Sequence, residues 1–230
     1  MRALLLLAVL PLRAFSTLPP EANRTMKGAT VHELVGPIES PLSLEVTDFL
    51  LDHPDLAAWF VRRRKIAPYV IEMETPTRSR ADDGEGTSGF IELVDRQPGR
   101  RSYYTEGTHV SRIFPDIRAS AVVIMTIDPV QKPGCRQHVV SSFDVYVRMR
   151  SGFVSAMVRV LKPFIKGTLV RKFTKAFSVA AKIGVLLARQ PEAARKELLS
   201  YPGLSAEDKE RLKTLLSSVE PEDAACLPGR

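Results

Sequence analysis

The chain has 230 residues, 44% of them apolar, with 33 Lys and Arg against 26 Asp and Glu. That suffices for one packed domain with a real core and excludes a scaffold that depends on disulfide staples. The net charge of +7 is local, because ten basic residues and no acid lie between Asp144 and Glu192; it marks one basic surface rather than a globally cationic chain.

The first residues read as an export signal. Arg2 is a short positive region, Ala3–Leu12 is an apolar run too short to span a bilayer, and Ala14-Phe15-Ser16 offers small residues for cleavage. A mitochondrial or plastid presequence is the competing address, and the solid leucine run argues against it. The expected organisation is a signal peptide over 1–16, a polar leader over 17–28, a domain over 29–190 and a helical extension over 191–230. Charges interrupt every later apolar run, so no transmembrane segment is expected. Asn23-Arg24-Thr25 spells a glycosylation sequon, which chance also explains.

Thr30–Leu34 is a candidate short strand. Ser40-Pro41 reads as a helix start, a capping hydroxyl followed by proline at the first helical position, for a helix over Leu42–Leu51. His53-Pro54 breaks it and opens a second short helix, which ends in Arg62-Arg63-Arg64-Lys65. Five strands are then expected: Tyr69–Thr75, Ser88–Asp95, Ser102–Ser111, Ser120–Asp128 and His138–Met149. A polar loop, Arg80–Gly86, follows the first, and Gln97-Pro98-Gly99-Arg100 is a tight turn between the second and third. Asp128-Pro129 ends the fourth. The fifth alternates, with Val139, Phe143, Val145 and Val147 on one side and Val140, Asp144 and Tyr146 on the other.

A long helix follows Gly152. Its apolar residues, from Phe153 to Leu186, recur at three- and four-residue steps. Pro163 is expected to kink it, Gly167 and Gly184 to weaken it, and Gln190-Pro191 to end it. A last helix over Ser205–Ser217 has an N-cap serine and early acids. The apolar stripe is explained by a core. The absence of acids is not, because surface helices mix signs to gain side-chain pairs. The basic face therefore suits an anionic membrane surface, where each Lys or Arg contributes about 1 kcal/mol. The export signal and the lack of an aromatic stacking motif argue against nucleic acid.

An antiparallel sheet with one face to cover and a long apolar-faced helix to cover it predicts an α+β fold. The order, together with Leu50-Leu51-Asp52-His53-Pro54, Glu106-Gly107-Thr108 to Ile113-Phe114-Pro115, and the proline-bearing run Val154 to Leu187, resembles the START-like or helix-grip superfamily of lipid-binding domains. The resemblance covers roughly residues 30–190. It implies a curved sheet of five to six strands gripping the C-terminal helix, a hydrophobic ligand between them, and no cofactor. The terminal helix is an addition to that pattern.

The candidate ligand-contacting residues are Tyr103, Glu106, His109, Met125, His138, Phe143, Met157, Leu161 and Phe164. They are strand polar groups and apolar residues of the sheet and helix, the mixture a mostly apolar pocket needs. The candidate membrane-docking residues are Lys162, Lys166, Arg171, Lys172 and Lys175. The histidines lack metal-ligand spacing, and two cysteines do not make a zinc site. Cys135 and Cys226 either pair or remain thiols. No nucleophile elbow, P-loop, H-E-x-x-H or dinucleotide fingerprint is present. The sequence is read first as an exported, peripheral carrier of a lipid or other hydrophobic molecule. An enzyme acting on a hydrophobic substrate in the same cavity is the alternative, and a filled-core membrane module the third reading.

Overall fold

In a computed structural model, residues 18–110, 116–150, 167, 170–219, 221 and 225–228 are described. The expected signal segment over 1–16, Pro163 and the stretch 113–115 lie outside them. The elements are α1 (Pro20–Lys27), β1 (Val31–Ser40), α2 (Leu44–Asp52), α3 (Pro54–Arg63), β2 (Val70–Thr75), β3 (Arg78–Asp82), β4 (Thr87–Gln97), β5 (Arg100–His109), β6 (Ile117–Gln131) and β7 (Gln137–Met149). Helical turns over 170–177 (α4) follow, then α5 (Val179–Arg189), α6 (Pro191–Leu199) and α7 (Ala206–Ser217).

The fold is α+β. Seven strands make one open antiparallel sheet, ordered β1-β7-β6-β5-β4-β3-β2. The sheet has more strands than the five to six expected. The added strand is β3, whose Arg78-Ser79-Arg80-Ala81-Asp82 carries no β-branched or aromatic residue. Its ladder to β4 sets it, pairing Arg80 with Phe90 and Ala81 with Gly89. The expected loop Arg80–Gly86 therefore shrinks to 83–86. The two-residue turn at Pro98-Gly99 is as expected, with Gln97 opposite Arg100 and Gly99 at φ +66°.

Two boundaries moved for local reasons. Ser40 is the last residue of β1, and its hydroxyl donates to the Ala180 carbonyl of α5 at 3.2 Å. Ser43 caps α2 instead, accepting from the Val46 amide. β6 runs on through Pro129. Ile127 turns its N–H toward β5, bonding the Gly99 carbonyl, so the Pro129 nitrogen two residues later faces the same side. There β5 has already ended, its pairing stopping at Arg100 with Thr126, and no ladder bond is lost.

The expected single long helix is interrupted at Ser178. That hydroxyl bonds the Lys175 carbonyl three residues back and competes with the helical ladder. Gly184 lets α5 approach the end of β1. A Cβ there would lie 2.8 Å from the Ser40 hydroxyl and 2.9 Å from Leu42. Gln190-Pro191 ends α5 and opens α6, a helix the sequence pattern did not indicate. α7 has its cap at Ser205, bonded by the Asp208 amide.

Helices lie on both sheet faces. On one face, called inner here, Val31, Val35, Ala121, Val123, Met125, Ile127, Phe143, Val145 and Val147 form a buried cluster with Phe173 and Phe177 packed on it. Beside it α2, α3, α5, α6 and α7 share a helical core built on Phe49, Phe60, Ile183, Leu187, Leu198 and Leu212. On the outer face α1 buries Ala22 against Tyr104 and Val122, so residues 20–27 of the expected leader are structured. Cys135, in the β6–β7 turn, is disulfide-bonded to Cys226 beyond α7.

Candidate functional site

Strand alternation sorts the candidate residues by face. Tyr103, His109, Met125 and Phe143 share the inner face. Tyr103 sits between Leu93 and Val123, and Met125 pairs with Phe143. The Phe143 ring stacks on Phe177 of α4 at 3.8 Å, with Phe173 next in line. Sheet and α4 therefore meet through aromatic contacts.

Glu106 and His138 are on the opposite face from these four. Glu106 accepts from the Tyr104 hydroxyl and from Arg150. His138 is fully buried and bonds Glu39 at 2.7 Å. Burial pushes the Glu39 carboxyl up, but hydrogen bonds from Lys132 and His138 outweigh it and hold it below the usual carboxylate range. Alternation told the two faces apart but not which one the helices would cover. Met157, Leu161, Phe164, Lys162 and Lys166 lie outside the described residues.

At the far end of β5 the inner face reaches a polar rim. The Lys172 ammonium of α4 donates to Asp83 at 2.6 Å and to the Thr87 hydroxyl at 2.9 Å. That hydroxyl lies 3.0 Å from His109 Nδ1. Lys175 pairs with Glu85. Asp83 also accepts the backbone amides of Glu85 and Thr87 at 2.7 and 2.8 Å. Burial raises the Asp83 carboxyl, yet Lys172 and the two amides hold it at about 2. Two of the expected membrane-docking lysines thus tie α4 to the β3–β4 loop. The pairing was visible in outline as an acidic Asp82-Asp83-Gly84-Glu85-Gly86 and an acid-free helix, but only the fold sets them opposite one another.

Because its folded pKa is depressed, Asp83 contributes stability that is complete above its ordinary pKa and lost as pH falls from about 4 to about 2. The Asp83→Asn substitution should reproduce that loss at neutral pH. Amide exchange of Glu85 and Thr87, followed by NMR, should quicken by about tenfold, one hydrogen bond's worth. Unchanged protection would mean that Asp83 does not hold the rim.

Near the opposite end of β5, Arg101 is 1% exposed and donates to the Asp48 and Asp52 carboxylates of α2, both at 2.7 Å. Sequence reading did not single it out, and the one available signal was the i,i+4 spacing of the two aspartates. On the outer face a cleft of about 290 Å³ includes Arg78, Phe90, Glu92 and Glu106. Arg78 lies over the Phe90 ring and bonds Glu74 and Glu92, so its charge is already used. Among the described residues no cluster of His, Cys, Asp or Glu could hold a metal, and no helix is long and apolar enough to cross a membrane.

No protein-family model matches the chain, and no curated protein does. The solved structures that resemble it include the following two. A conserved protein from Geobacillus kaustophilus is 14% identical with a TM-score of 0.45, covering 65% of this chain and 93% of that one. An uncharacterized protein from Rhizobium leguminosarum is 14% identical with a TM-score of 0.35 over the same shares. Neither likeness carries an argument about activity.

Proposed function

We propose that the chain is a helix-grip, START-like carrier that holds a lipid or other hydrophobic ligand between the inner sheet face and the C-terminal helix. The observation that carries this reading is the asymmetry of that face. It is apolar from Val31 to Tyr103, meets α4 through Phe173 and Phe177, and is closed at one end by ion pairs rather than by hydrophobic packing. An apolar face bordered by a polar, exchangeable rim is suited to taking up an apolar molecule. The order of strand, two helices, six strands and helix, with β1 beside β7, supports the helix-grip assignment.

Transfer would work by replacement. Apolar area leaving a bilayer is re-covered by the inner face, at roughly 0.8 kcal/mol per CH₂. Anionic lipid headgroups would compete with Asp83 and Glu85 for Lys172 and Lys175, so that docking loosens the rim. The disulfide is compatible with the export signal and an oxidising compartment. Native mass spectrometry of protein purified from a lipid-rich host should show a bound lipid. Clean apoprotein on repeated preparation would overturn the carrier reading.

One observation favours the enzyme alternative. The Thr87 hydroxyl is held between His109 and Lys172, an arrangement that could move a proton at the rim. A turnover assay that survives Thr87→Ala would remove that reading.

A further inference from the structure

Tyr103 breaks a pattern in this chain. Three other tyrosines each donate to a carboxylate: Tyr104 to Glu106, Tyr146 to Asp144 at 2.9 Å and Tyr201 to Asp55 at 2.8 Å. The Tyr103 hydroxyl is buried and has no hydrogen-bond partner among the described residues. A buried hydroxyl left unpaired is costly, and buried phenols generally find a partner. The ring stands on the inner face, packed on the same apolar cluster that meets α4.

The surroundings specify what could pair with it. Arg101 is close enough to pull on the phenol oxygen, but a guanidinium only donates and is already shared between Asp48 and Asp52, so the phenol's own O–H is left without an acceptor. Arg96 bonds Asp52 as well. Two arginines and two aspartates leave no net charge to be met. Burial pushes the phenol up, against the pull of Arg101, so it remains a donor at neutral pH. From Tyr103 the inner face continues along β5 for six residues to His109, roughly 20 Å at strand spacing. Thr105 and Gly107 lie on the way, flanked by Ile91, Gly89, Ala121 and Ala119.

Resting on the carrier reading above, we propose that the Tyr103 hydroxyl is the ligand's polar anchor. It donates to one neutral acceptor oxygen, a carbonyl or ester, on a molecule otherwise apolar. The head lies deep, at the Arg101 end, and the apolar body points to the Lys172–Asp83 rim. A hydrocarbon would leave the hydroxyl unpaired, and a charged head would find no counter-charge.

Two fluorescent probes test this: diphenylhexatriene, a pure hydrocarbon, and dodecanoyl-dimethylaminonaphthalene, whose ketone emission shifts red when it accepts a hydrogen bond. The folded protein should bind both, with red-shifted ketone emission. In Tyr103→Phe the ketone should bind about 5- to 10-fold more weakly, as for one lost hydrogen bond, and its emission should move to the blue. Hydrocarbon binding should stay the same, and the variant should unfold no earlier than the parent, since no internal hydrogen bond is removed. Equal ketone affinity in both proteins, or equal weakening of both probes, overturns the anchor and leaves the carrier reading intact. Failure of the parent protein to bind either probe overturns the carrier reading and the anchor with it.

Discussion

Replacing Cys226 with serine should lower the thermal midpoint by roughly 10 °C or more, read by differential scanning calorimetry. The Cys135–Cys226 bond joins residues 91 apart in sequence. For a loop of that size the chain-entropy account assigns about 4–5 kcal/mol to the cross-link. Its position adds to the effect, because it ties the β6–β7 turn to the segment that follows α7. Cys226 and Leu227 are buried there. Cys135→Ser, Cys226→Ser and the double variant should shift equally, and so should the parent protein under a thiol reductant. If reductant leaves the parent midpoint in place, the two sulfurs do not share a bond.

Arg101→Ala should cost about 3 kcal/mol in urea unfolding, seen as a lower midpoint at unchanged slope. The guanidinium is almost fully buried and bridges two carboxylates one helical turn apart on α2. Truncation leaves Asp48 and Asp52 facing one another beside an empty stem channel. The loss stays at the lower end of the range for broken buried pairs, because Asp48 and Asp52 side chains are 39% and 23% exposed and can turn to water. Arg101→Lys should fall between parent and alanine, since one ammonium lacks the fork that serves both acceptors. A change below about 0.5 kcal/mol for alanine would show that the pair contributes nothing net.

Much of the frame was legible because it rests on local rules. The β4–β5 turn was marked by Pro98-Gly99, β7 by its strict alternation, α3 by Pro54 and α7 by Ser205. What could not be read depended on neighbours. β3 has no strand composition and exists through its partners on both sides. Pro129 stops a strand only where the missing donor would be needed, and its side of β6 is open. Ser40 reads as a cap on paper, but its hydroxyl is claimed by α5. For the site, parity sorts residues only within a strand, and the cross-strand register is what brings Tyr103, Met125 and Phe143 to one face. Parity could not assign Glu106 and His138 to the far face until the helices chose a side. Charge pattern marked the helix as basic, and only the fold brought Asp83 and Glu85 within reach of it.

The pairing of β1 with β7 carries a consequence for how the protein is made. Val31 lies opposite Val147, and Val35 opposite Phe143. On a ribosome adding about 5–20 residues per second, β1 emerges several seconds or more before its partner exists. During that interval Val31 and Val35 have neither a neighbouring strand nor a covering helix. Hairpins β2–β3 and β4–β5 can close as they appear, because their contacts are local. The sheet is completed only when the latest strand returns to the earliest. The Cys135–Cys226 bond becomes possible only once Cys226, later still, has emerged.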